Sequence, residues 1–241
     1  MPQRDEQQNG KASGKFPLAV VWDLDGTLVE SAEDLAKALN TLLNEHHQHT
    51  HAVEKVRPMI GAGVAKLIER GFRESGVNLD EAKRDSMVPK FMEIYRACAT
   101  ERTHLVPHAR EVLEYFYHAG VRQGLCTNKP LDVTRQILHA LDISGFFGSI
   151  IGGDSTAAKK PNPLPLRTCL EELGASTDEA VMIGDSGADV GAARAAGVAI
   201  ILVPDGYTGA PAVSLGADHV VGNIGEIPAS IPPHRPLRRS A

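Results

Sequence analysis

The stretch PLAVVWDLDGT, Pro17–Thr27, decides the fold. Its first half, Pro17–Trp22, is short, apolar and partly β-branched, the pattern of a strand buried on both faces. It stops abruptly at two aspartates, Asp23 and Asp25, and Gly26 then lets the chain turn. Comparable runs follow at Val121–Cys126, Ser149–Gly152, Val181–Gly184 and Val198–Val203, with an edge candidate at His219–Val221. Helical patterns separate them at Ala109–Ala119, Leu131–Leu141, Leu164–Leu173 and Ala188–Ala196. Gly120, Gly174 and Gly197 stand just past three of these, where a helix end favours glycine. Strands alternating with helices predict an α/β fold: a doubly wound, mostly parallel, Rossmann-like sheet.

Residues 31–103 break this alternation. They carry helical patterns at Ala32–Glu45, Val64–Glu74 and Asp80–Thr100, the last expected to be interrupted near Pro89. The expected organisation is a core of residues 16–30 and 104–226 with an all-helical insertion at 31–103. A polar, disordered tail at 1–15 and a proline- and arginine-rich tail at 227–241 flank it. The histidine-biased HHQHTH segment, His46–His51, reads as a solvated helix end, because no acidic or cysteine co-ligand accompanies it.

Composition narrows the function. With 241 residues, 42% hydrophobic and 23% charged, the chain is long enough for a core and a companion unit. A formal net charge of −5 gives no footprint for nucleic acid or an anionic membrane, so neither is expected as a partner. Cys98, Cys126 and Cys169 are widely spaced and form no C-x-x-C pair, as expected for reduced, buried thiols in a cytoplasmic protein. No run is long and apolar enough to span a bilayer, and Met1–Lys15 lacks the apolar stretch of a signal peptide.

In an open parallel sheet, ligands bind beyond the carboxyl ends of the strands. Asp23 and Asp25 fall at such an end, and paired carboxylates can divide acid–base work between them. Thr127 follows the second strand with a hydroxyl and backbone N–H groups. Lys160, ahead of Leu164–Leu173, is a point charge suited to phosphate. Asp185 and Asp189 follow the fourth strand, and hard oxygen ligands clustered in this way suit Mg²⁺. Singly, each has a plain structural reading: a turn residue, a surface lysine, acids at a helix N-terminus. Their joint arrival at successive strand ends favours a phosphate site. Gly61-x-Gly63 has Lys66 where a dinucleotide fingerprint needs its third glycine, so it reads either as a tight turn or as an insertion loop approaching that site.

The pieces VWDLDGTLVES (Val21–Ser31), LCTNKP (Leu125–Pro130), KKPNPLPL (Lys159–Leu166) and IGDSGADVGAARAAG (Ile183–Gly197) resemble, in this order, the haloacid dehalogenase-like hydrolase superfamily. RPMIGAGVAKL (Arg57–Leu67), IIGGD (Ile150–Asp154) and DGYTGAP (Asp205–Pro211) resemble its bacterial phosphoglycolate phosphatases. A small departure is Leu164, where many relatives carry an acidic residue. The resemblance implies Asp23 as nucleophile and Asp25 as general acid and base. It implies phosphate contacts from Thr127, Asn128 and Lys160, and Mg²⁺ held by Asp23, the Asp25 backbone carbonyl and Asp185. Asp189 would support the metal waters or Lys160, and the insertion would be a mobile cap.

The expected partner is therefore a small phosphorylated metabolite, with 2-phosphoglycolate foremost. Its carboxylate needs a cation, expected from the cap: Arg57, Lys66 or Arg70. Alternatives on the same scaffold are a phosphosugar phosphatase, a phosphomutase and a catalytically silent binding protein. Asp25 argues against carbon–halogen hydrolysis, which needs no acid there.

Overall fold

A computed structural model describes residues 17–231 other than 205 and 208. The expected tail at 1–15, the end of the chain from 232, and Asp205 and Thr208 of the late glycine-rich segment lie outside the described residues. The strands are β1 (Ala19–Trp22), β2 (Val29–Glu30), β3 (His104–Leu105), β4 (Arg122–Cys126), β5 (Ser149–Ile151), β6 (Ala180–Gly184), β7 (Ala199–Leu202) and β8 (His219–Val220). The helices are α1 (Ala32–Glu45), α2 (Val53–Val56), α3 (Val64–Glu74), α4 (Glu81–Cys98), α5 (Ala109–His118), α6 (Leu131–Ala140), α7 (Leu164–Leu173), α8 (Gly187–Ala196) and α9 (Ile227–Ser230).

Six strands form one parallel sheet in the order β5-β4-β1-β6-β7-β8. The central β1 has no solvent face. Val20 and Trp22 pack on one side with α5 and α6, while Ala19 and Val21 pack on the other with α7 and α8. This two-sided burial is why its sequence is a continuous apolar run rather than an alternation. The Trp22 indole N–H donates to Gln123 Oε1 at 3.1 Å, and Gln123 Nε2 donates to the Leu113 carbonyl at 2.9 Å. The two polar groups therefore enter the core with partners.

The chain leaves β1 toward β4 and β5, then crosses back to β6 on the other flank. The strand order thus reverses at β1, so the carboxyl ends of β1, β4 and β6 border one crevice.

The helical insertion holds α1–α4. Its two connections to the sheet pair as the antiparallel strands β2 and β3, which the sequence reading missed. Each is two residues long, too short to carry a periodic signal. Asp34, wholly buried on α1, accepts hydrogen bonds from the backbone N–H of Arg102 and Thr103 and from the Thr103 hydroxyl. The entry and exit of the insertion are thereby clamped together.

Three expectations need correction. α4 runs unbroken through Pro89. That proline lies on the exposed face, where water can serve the carbonyl left without a helical donor, while Met87, Phe91, Met92 and Tyr95 bury the opposite face. The first residues of the expected tail at 227–241 are folded, as α9 with Ile227 and Ile231 buried. His51 is not solvated: it is buried, with Nε2 2.8 Å from the Gly71 carbonyl oxygen.

Candidate active site

Asp23 follows β1 directly and donates its backbone N–H to the Ile183 carbonyl of β6 at 2.8 Å, which carries the sheet register into the site. Gly26 turns the chain with φ +83°, and a Cβ there would fall 2.7 Å from Asp185 Oδ2. Any side chain at position 26 would therefore displace a carboxylate as well as strain the backbone.

Four buried carboxylates, Asp23, Asp25, Asp185 and Asp189, converge here with two buried lysines, Lys129 and Lys160. The Lys160 ammonium lies 2.8 Å from Asp23 Oδ1 and 2.6 Å from Asp189 Oδ1, and donates to the Cys126 carbonyl at 2.6 Å. Burial pushes this ammonium down, but Asp189 and Asp23 outweigh that and hold it above the ordinary lysine range. Asp189 Oδ2 accepts from the backbone N–H of Asp185 and Ser186 and from the Ser186 hydroxyl. Both Asp189 oxygens are thus engaged within the protein, so its role as a helix cap and its hold on Lys160 are one arrangement.

Two negative charges remain unbalanced. Burial raises the Asp23 carboxyl to about 6, with Lys160 opposing and Asp189 and Asp25 reinforcing. Burial, then Asp189 and Asp23, also pushes Asp185 well up. Ligand oxygens of Asp23, Asp185 and Asp189 lie within 4.8 Å of one another, all three on buried residues. A divalent cation fits this donor set. With Asp189 already engaged, Asp23 and Asp185 are the side chains open to it.

Asp25 sits on the other side of Asp23. Its Oδ1 accepts from the Ser31 hydroxyl at 2.6 Å, and the Lys129 ammonium lies 2.7 and 2.8 Å from its two oxygens. Sequence reasoning missed Lys129, although it stands inside the quoted LCTNKP. The available signal was its spacing, two residues past Thr127 at a strand end. Thr127, Asn128 and Lys129 line one cavity of about 30 Å³ with Asp23, Asp25 and Tyr95, closed by Gly61, Gly63 and aliphatic residues of the insertion. The two glycines, at φ +96° and +87°, belong to the loop that approaches the site.

Two placements narrow what the expected residues can offer. The Asn128 side chain is committed elsewhere: Nδ2 donates to the Gly61 and Lys160 carbonyls, and Oδ1 accepts from the Lys160 N–H. Only its backbone N–H is left to offer a phosphate. None of the three cap cations lines the cavity with Asp23 and Asp25. Arg57 pairs with Glu30 at 2.6 Å and lies over the Tyr207 ring. Lys66 pairs with Glu69 at the surface. Arg70 donates to the Met59 carbonyl and faces a neighbouring cavity beside Asp185. The Leu164 departure is half exposed at the start of α7.

The haloacid dehalogenase-like hydrolase family matches residues 20–203, and the chain belongs to that family. A phosphoglycolate phosphatase of Caulobacter vibrioides is 37% identical over 209 residues, 87% of this chain and 88% of the relative. Among solved structures, a predicted phosphoglycolate phosphatase from Haemophilus somnus superposes with a TM-score of 0.83 at 27% identity, covering 90% of this chain and 99% of that one. CbbY from Rhodobacter sphaeroides, solved in complex with phosphate, gives 0.75 at 26% identity, covering 88% and 96%. With the buried acidic site, these relationships make the chain a phosphoric monoester hydrolase. Among the described residues, no helix is long and apolar enough to cross a membrane.

Proposed function

We propose that this chain hydrolyses 2-phosphoglycolate to glycolate and phosphate through an aspartyl-phosphate, with Mg²⁺ as cofactor, in the cytoplasm. The observation that carries the reading is the small cavity shared by Asp23, Asp25 and Lys129. Its polar side chains lie together at one end, and the relatives named above point the same way. The cytoplasmic assignment draws on the three buried, unpaired cysteines.

Asp23 would attack phosphorus in line, forming the Asp23–phosphorus bond as the ester bond breaks, and Asp25 would protonate the departing alkoxide. Asp25 would then take a proton from water as that water attacks phosphorus and releases Asp23. Thr127, the Asn128 backbone N–H and Lys160 would hold the phosphoryl oxygens, with Asp189 fixing Lys160. Mg²⁺, held by Asp23, the Asp25 carbonyl and Asp185, would neutralise phosphoryl charge. The unit 31–103 would act as a cap that excludes water.

Phosphate release across a panel of phosphorylated metabolites tests this. 2-Phosphoglycolate should give the highest kcat/KM. A sugar monophosphate at the top, or its isomerisation without free phosphate, would replace this reading with the phosphosugar or mutase one.

A further inference from the structure

We propose that Lys129 and Tyr95 form the subsite for the carboxylate of the substrate, so that the core lysine and one cap aromatic, rather than a cap cation, select a carboxylated ester. This rests on the reading of the site as a phosphatase acting on such an ester.

Among the residues lining the cavity with Asp23, Lys129 is the only lysine or arginine. It is buried, and its ammonium lies within 2.8 Å of both oxygens of Asp25. Asp25 marks where the ester oxygen must sit to be protonated. An anion carried one carbon beyond that oxygen therefore falls within reach of the same ammonium.

Tyr95 is an independent pointer. It lines the same cavity, is wholly buried, and its hydroxyl has no hydrogen-bond partner. Its ring centroid is 5.0 Å from the Lys129 ammonium. A buried hydroxyl without a partner is costly, and a carboxylate oxygen seated against Lys129 would accept a hydrogen bond from it. Leu35, Ile60, Val64 and Leu67 give the cap side of the cavity an apolar lining.

The test compares 2-phosphoglycolate with ethyl phosphate, in which a methyl replaces the carboxylate. In Lys129→Met the kcat/KM ratio of the two esters should fall roughly 10- to 100-fold, the range of a charge-assisted hydrogen bond. In Tyr95→Phe it should fall about tenfold, carried mainly by KM for 2-phosphoglycolate. Tyr95→Phe keeps the ring, so it decides the matter even where Lys129→Met does not fold. Parallel losses on both esters would make Lys129 a partner of Asp25 alone and overturn the subsite. So would a selective loss confined to Arg70→Met, which would move the carboxylate to the neighbouring cavity. A wild-type protein that hydrolyses both esters equally keeps the phosphatase reading and overturns the subsite. One inactive on both with Mg²⁺ overturns the two together.

Discussion

The Asn128 side chain, just past β4, donates at 3.0 Å to the carbonyl of Gly61 in the helical insertion. Its remaining bonds hold the backbone of Lys160 on both sides. A single core amide thus links the cap loop to the lysine beside Asp23. Asn128→Ala should lower kcat/KM by roughly tenfold on every phosphate ester, because it loosens Lys160 and the loop together. Amide hydrogen exchange over residues 60–64 should also quicken. Wild-type exchange combined with wild-type kinetics would show that the link is idle.

Asp34 makes no contact with the cavity, yet it joins the two ends of the insertion. Asp34→Ala would strand the buried Thr103 backbone donor and hydroxyl away from water and release the half-buried Arg102 donor. Such groups cost about 1–3 kcal/mol each, and partial relaxation should leave a loss on the order of 3 kcal/mol. Urea unfolding followed by circular dichroism measures it. An unchanged midpoint would mean that β2 and β3 pair without the clamp.

These two residues also mark what the sequence could express. The buried strands, the sheet class and the acids at strand ends were legible because each rests on a local signal: an apolar run, a turn glycine, a carboxylate at a fixed offset. Lys129 lay in plain view but carried no mark of burial, since only the fold brings Asp25 against it. Tyr95 reads as one more apolar position on α4, and nothing in its spacing tells which face of that helix meets the sheet edge. Arg57, Lys66 and Arg70 stand close to Gly61 and Gly63 in sequence, whereas in the fold Arg57 is drawn aside by Glu30, which precedes the insertion. The unbroken α4 needed knowledge that Pro89 faces water.

Removal of the metal should abolish turnover, and added Mg²⁺ should restore it. Asp185 separates the metal from the chemistry. Its carboxyl is buried among Asp189 and Asp23 and pushed well up, so its charge is a cost to the metal-free protein above the ordinary carboxylate range. Asp185→Asn should therefore raise the metal-free melting temperature at neutral pH. It should also shrink the gain from Mg²⁺ and weaken Mg²⁺ binding in calorimetry by more than about tenfold. Full activity in excess chelator, or Mg²⁺ binding unchanged in the variant, would remove the metal from this site.

Asp23 and Asp25 should fail in different ways. Asp23→Asn leaves an amide where the proposed nucleophile stands, and activity should vanish on every ester. Asp25→Asn keeps the nucleophile and loses proton transfer, a drop of roughly 10²–10⁴-fold. Its deficit should be smallest on p-nitrophenyl phosphate, whose leaving group needs no proton, and largest on an alkyl ester. Because the second displacement also lacks its base, that variant should accumulate phosphoenzyme on the aryl ester. Acid quench with ³²P-labelled substrate followed by peptide mapping should find the label on Asp23. Label on Ser186 or Thr127, or near wild-type turnover by Asp23→Asn, would transfer the nucleophile's role to another residue. An equal deficit for Asp25→Asn on aryl and alkyl esters would instead make Asp25 a structural anchor for Lys129 and Ser31.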